Sequence, residues 1–218
     1  MIVFVRIVSV LLPSFWLAAT VFGQVQAPNP DNRAADPGRT WQYSLSLAGY
    51  YVPSDQSYAS PTFTADSERI HLECRYNYEA LKTASIWLGY NLSFGKNVTL
   101  DLTPMVGGVF GRTTGVAPGY DMTLSYKGLE LFGQGEYVID TNEVSNRYFY
   151  AWNELSYAPV KWFRFGGVAQ RTRVYHTGLD VQRGFLVGLM VKKVDFTTYV
   201  FNPGVTDTTL VFSIGYTF

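Results

Sequence analysis

Apolar and polar residues alternate with a period of two in segment after segment of this chain. Between Arg69 and Glu79, one set is Ile70, Leu72, Cys74, Tyr76 and Tyr78, and the other is His71, Glu73, Arg75, Asn77 and Glu79. Successive side chains of a strand point to opposite faces, so such a segment reads as a β-strand with one apolar and one polar face. The last nine residues repeat the pattern. Leu210, Phe212, Ile214, Tyr216 and Phe218 oppose Val211, Ser213, Gly215 and Thr217. Chain ends ordinarily fray into water and need not be apolar. Here the apolar face continues to Phe218, so protein or lipid must cover it.

The alternation predicts about twelve strands. They run over Trp41 to Val52, Tyr58 to Asp66, Arg69 to Glu79, Ser85 to Phe94, Val98 to Phe110 and Tyr120 to Tyr126. They continue over Leu129 to Ile139, Arg147 to Tyr157, Trp162 to Tyr175, Gly184 to Val191, Asp195 to Phe201 and Thr209 to Phe218. The connections alternate in length. Tight ones fall at Gly95–Asn97, Lys127-Gly128, Ala158–Lys161 and Lys192-Lys193. Longer ones fall at Ala80–Ala84, Gly111–Gly119, Thr141–Asn146 and His176–Arg183. Tyr58 to Asp66 is the weakest of the set. It is kept because an odd count would put the two chain ends on opposite sides.

No segment after the N-terminus holds the ~18 consecutive apolar residues of a helical span. The mean hydropathy is +0.02, yet aromatics make up 17%, with 16 Tyr and 15 Phe. Strands that average a lipid face with a polar lumen, rimmed by aromatics, have this composition; a soluble β-sandwich can share it. Basic and acidic residues number 17 each, so zero net charge gives no reason to propose a nucleic-acid partner. The single cysteine, Cys74, rules out a disulfide within the chain.

Residues 1–23 carry one charge, Arg6, and then an apolar run from Ile7 to about Gly23, with the small Val21 and Gly23 at signal-peptidase spacing. This is read as a cleaved export signal, against an uncleaved anchor that Pro13, Ser9 and Ser14 disfavour. Residues 24–40, rich in Pro, Asn, Asp and Ala, read as a flexible periplasmic leader, and 41–218 as one domain.

The export signal, the alternating strands and the terminal Tyr216-Thr217-Phe218 together resemble the bacterial outer-membrane β-barrel proteins. The resemblance implies an all-β fold, a transmembrane antiparallel up-and-down β-barrel. It implies that outer-membrane lipid covers the apolar set, Cys74 included. It also implies that Phe218, with Tyr216, is an assembly signal for the barrel-assembly machinery.

If the large apolar set faces lipid, the polar set faces a lumen. An Arg or Lys at the bilayer midplane costs about 2–4 kcal/mol, so segregation of charge to one face supports a barrel. The candidate lumen-lining residues are Glu73, Arg75, Glu79, Asp101, Glu130, Glu136, Glu154 and Arg164. His71, Asn77, Thr103 and Gln134 share their faces. Arg171 and Arg173 fall on the face of Phe163 and Phe165, which calls for a rim position or a β-bulge.

Two readings of the lumen charges stand. They line a water-filled pore whose slight excess of acids leans toward cations, making a porin-like passive channel for small solutes or ions. Or Glu and Arg pair across a narrow lumen and close it, leaving a non-conducting structural or partner-binding barrel. An outer-membrane hydrolase is a third possibility. It needs a His near a nucleophile; His71 has no obvious Ser partner in sequence, and His176 falls in an outer loop with Asp180, as a solvated loop residue. The chain is therefore read as a non-enzyme. No metal, redox or nucleotide motif is present, and no cofactor is expected.

Overall fold

The computed structural model describes residues 41–53, 56–174, 179–204 and 208–218. The predicted export signal, leader and His176 lie outside the described residues.

Thirteen strand segments form one antiparallel sheet. They are β1 (Gln42–Tyr51), β2 (Tyr58–Asp66), β3 (Ile70–Tyr76), β4 (Thr83–Tyr90), β5 (Leu92–Gly95) and β6 (Thr99–Gly111). These are followed by β7 (Gly115–Tyr126), β8 (Leu129–Asp140), β9 (Tyr148–Val160), β10 (Phe163–Val174), β11 (Leu179–Val191), β12 (Val194–Phe201) and β13 (Thr209–Thr217). The final strand pairs with the first, Leu45 opposite Tyr216 and Tyr50 opposite Val211, and so closes the barrel. β4 and β5 both pair with β6 in one unbroken register, from Thr83 opposite Gly111 to Gly95 opposite Thr99. They are two pieces of one strand, so the barrel has twelve strand positions. Pro104 sits opposite the break and has no N–H to donate, which is where a ladder rung must be lost.

The closed barrel excludes the β-sandwich. Tyr58–Asp66 is a strand with the predicted bounds. Three predicted loops are shorter than expected because the strands run into them. The 111–119 stretch was expected to be a loop, but β7 begins at Gly115, opposite Val109 and Asp140. Pro118 falls where the β7–β8 ladder skips from Val116 to Gly119. Ala158 and Pro159 end β9, so the turn lies at Lys161-Trp162. β11 begins at Leu179, not Gly184. At Lys127-Gly128 both residues have positive φ, 46° and 81°, which suits a two-residue hairpin between twisted strands.

The connections at 67–69, 96–98, 127–128, 161–162 and 192–193, of two or three residues each, share one end of the barrel with both described chain ends. Tyr43 and Phe218 exchange backbone hydrogen bonds there, Tyr43 N–H to Phe218 O at 3.3 Å and Phe218 N–H to Tyr43 O at 2.9 Å. Their rings stack at 5.9 Å, Tyr43 also stacks on Phe63, and Tyr216 on Phe218. This aromatic strip is part of what a membrane-interface girdle requires.

The outer face is apolar. β3 and β4 alternate exposed and buried without exception: Ile70, Leu72, Cys74 and Tyr76 point out, as do Ile86, Leu88 and Tyr90. Exposed apolar area on this scale needs a cover other than water. Arg171 is exposed near the end of β10 far from the 161–162 turn, the rim position. The β-bulge lies elsewhere, between Phe163 and Phe165. The side chain of Arg173 lies outside the described residues.

Candidate functional site: the barrel lumen

The inward faces bring ionisable side chains together as two hydrogen-bonded networks. The first is centred on Arg75. Its Nη2 donates to Glu73 Oε2 at 2.8 Å and its Nη1 to Glu136 Oε2 at 2.9 Å, with Glu79 Oε1 at 3.8 Å from Nη1. The guanidinium also lies 4.2 Å from the Tyr78 ring centre and 4.5 Å from that of Trp87. A planar cation held between two rings and two carboxylates is a geometry arginine serves and lysine does not.

Glu79 reaches this centre by a route the alternation does not foresee. β3 stops at Tyr76, and Asn77 takes a positive φ of 54°, a conformation asparagine tolerates. Asn77 was expected inside. Instead its side chain ties the loop, accepting from the Lys82 N–H and donating to Ala59 O. The broken alternation puts both Tyr78 and Glu79 inside, each 1% exposed, so Tyr78 leaves the outer set to which it was assigned. Tyr78 donates to Gln134 Oε1, and Ser85 donates to Glu79 Oε1. Trp87 Nε1 donates to Ser85 Oγ at 2.9 Å and lies 3.2 Å from Glu79 Oε1. Burial pushes the Glu79 carboxyl above its ordinary value, and the Arg75 guanidinium pulls it back.

The second network is centred on Arg164. Its Nη1 donates to Glu154 Oε2 at 3.2 Å and its Nη2 to Thr197 Oγ1 at 2.7 Å, with Asp195 Oδ1 at 3.6 Å. Thr197 passes the chain on by donating to Asp195, and Trp152 Nε1 donates to Glu154 Oε1 at 2.8 Å.

Of the eight predicted lumen residues, Glu73, Arg75, Glu79 and Glu136 thus meet in one network, and Glu154 and Arg164 in the other. Asp101 and Glu130 are half-buried nearer the short-turn end, and Asp101 belongs to neither network. Asp66, Asp121 and Asp195 are lumen residues beyond those eight. All three fall on the inward parity of β2, β7 and β12, which was the available signal.

The inward faces also carry a cluster of aromatic side chains. Trp87, Tyr150, Trp152 and Tyr199 are at most 1% exposed, so water reaches almost none of their surface. Tyr78 meets Tyr150 edge to face at 6.2 Å. Trp152 meets Tyr199 at 5.4 Å and Phe201 at 5.2 Å in the same way.

No protein-family model matches the sequence, and no curated protein matches it. Solved structures do match. The fold is similar to that of the KdgM porin, with a TM-score of 0.57 at 10% identity over 80% of this chain and 99% of that one. It is also similar to the KdgM porin in complex with disordered oligogalacturonate, with a TM-score of 0.58 at 10% identity over the same shares. At this identity the likeness is one of fold, and the fold is that of the outer-membrane β-barrel class.

Proposed function

We propose that this chain is a porin-like outer-membrane channel for small solutes, without enzymatic activity, and that its lumen prefers cations. The observation that carries the reading is the division of faces. A closed barrel with an apolar outer surface encloses Glu73, Glu79, Asp121, Glu136, Glu154 and Asp195 against Arg75 and Arg164. Lining charge sets which ions enter. A lumen with this excess of carboxylates disfavours a polyanion such as the oligogalacturonate found with the KdgM porin, and favours cations or neutral solutes. In this reading residues 1–23 direct export and are cleaved, and 24–40 remain in the periplasm. Outer-membrane lipid covers the outward set. Tyr216 and Phe218 signal to the barrel-assembly machinery from the short-turn end.

One observation favours a second reading. Trp87, Tyr150, Trp152 and Tyr199 are shut off from water on the inward faces, so conduction past them requires those side chains to move. A barrel in which they stay put is a non-conducting scaffold or a platform for a partner at the loops.

Single-channel recording in a planar bilayer separates the two. Discrete current steps, with a reversal potential of cation-selective sign under a salt gradient, are the expected result. Anion-selective reversal would refute the lining assignment. Folded, inserted protein that never conducts would establish the scaffold.

A further inference from the structure

We infer that the lumen holds a binding site for one divalent cation of the zinc type, built from His71, Glu73 and Asp121. The potential ligand atoms of these three residues lie within 4.8 Å of one another. They come from β3 and β7, which the curvature of the barrel wall brings together. The site does not depend on whether the barrel conducts.

Two carboxylate oxygens at this site are buried and make no hydrogen bond. They are Glu73 Oε1, on a residue 1% exposed, and Asp121 Oδ1. Arg75 occupies only the other oxygen of Glu73. A buried carboxylate oxygen without a partner is costly, and a metal ion is one group that satisfies it. Charge points the same way. Asp66, Glu73, Glu79, Asp121 and Glu136 crowd one region, and among the described residues Arg75 is the arginine or lysine that forms ion pairs with them, so a metal ion that takes His71 as a neutral imidazole still meets an excess of negative charge.

The histidine is oriented as a ligand. Its Nδ1 lies 2.7 Å from Asp66 Oδ1, the cross-strand neighbour of His71, which turns Nε2 toward Glu73 Oε2 at 3.3 Å. Asp66 is itself held by Asn91 Nδ2 at 3.2 Å, and Asn91 accepts from Thr103 Oγ1 at 2.8 Å. A carboxylate fixing the far nitrogen of an imidazole is the usual outer support of a metal-binding histidine. Bonds of about 2.0–2.2 Å to a tetrahedral ion put ligand atoms roughly 3.3–3.6 Å apart, so the three draw in by about an ångström. One imidazole with two carboxylates suits zinc or cobalt better than calcium or magnesium, which take oxygen alone.

The test uses the full chain, folded in detergent and stripped with a chelator. Co²⁺ is titrated while visible absorption is followed, and Zn²⁺ is then added to displace it. One equivalent is expected to bind with a tetrahedral spectrum. His71→Gln and Asp121→Asn should each weaken binding at least tenfold, and Asp66→Asn by roughly 10–100-fold. His176→Gln should leave it unchanged, and circular dichroism confirms that each variant is folded. Failure of the folded wild-type protein to bind either metal saturably would overturn the proposal. So would binding that survives His71→Gln or Asp121→Asn, or that disappears with His176→Gln.

Discussion

Trp87 lies flat over Gly107. A Cβ built on that glycine would come within 2.5 Å of the indole Cδ2, and one on Gly119 within 3.1 Å of Cζ3. The wall of the barrel is thinned to backbone where this lumen tryptophan rests, and Arg75 stacks on that same ring. Gly107→Ala is therefore expected to push the indole off the wall and break its hydrogen bond to Ser85. The overpacking should cost about 1–3 kcal/mol. Tryptophan fluorescence should report a changed environment, and channel current should change with it. An unaltered emission spectrum would show that Trp87 does not depend on this gap.

Arg75 answers to three carboxylates, and its removal leaves Glu79 and Glu136 buried without a counter-charge. Arg75→Met should destabilise the folded barrel by about 3–5 kcal/mol in urea titrations from detergent. The double variant Arg75→Met/Glu136→Gln should recover part of that loss. Equal stability of the single and double variants would mean that the Arg75–Glu136 contact contributes nothing.

In the second network, Gly188 does for Arg164 what Gly107 does for Trp87. A Cβ there would come within 2.7 Å of Arg164 Cγ and Nε. Gly188→Ala should displace the guanidinium and mimic Arg164→Gln. A double-mutant cycle between Arg164→Gln and Glu154→Gln should give a coupling of about 0.5–3 kcal/mol. On the Gly188→Ala background that coupling should fall toward zero. A coupling that persists there would place the contact outside the control of the glycine.

Cys74 is the single cysteine and is exposed on the outer face of β3, between Leu72 and Tyr76. A spin label at Cys74 in reconstituted protein should relax faster with oxygen, which partitions into lipid, than with a water-soluble nickel complex. The reverse order would put this face in water and remove the membrane reading of the outer surface.

The strands and their faces were legible in the amino-acid sequence alone. Period-two alternation is a local property, so His71, Glu73 and Arg75 on one side and Ile70, Leu72 and Cys74 on the other followed without knowledge of any neighbour. It determined the second strand, Tyr58–Asp66, through the parity of a closed barrel. It was weaker at strand ends. Gly115 to Gly119 reads as a loop by composition, and only the ladder to Val109 and Asp140 makes it strand. Tyr78 was misplaced because one residue in the left-handed region, Asn77, ends the alternation that had assigned it outward. Which lumen residues meet is a property of the folded barrel. Arg75 and Glu136 are 61 residues apart, and His71, Glu73 and Asp121 converge from strands β3 and β7. Such meetings depend on register and wall curvature, which arise only when the barrel closes. A strand's own pattern sets the face on which a charge appears, but the closed barrel sets its height and its partner.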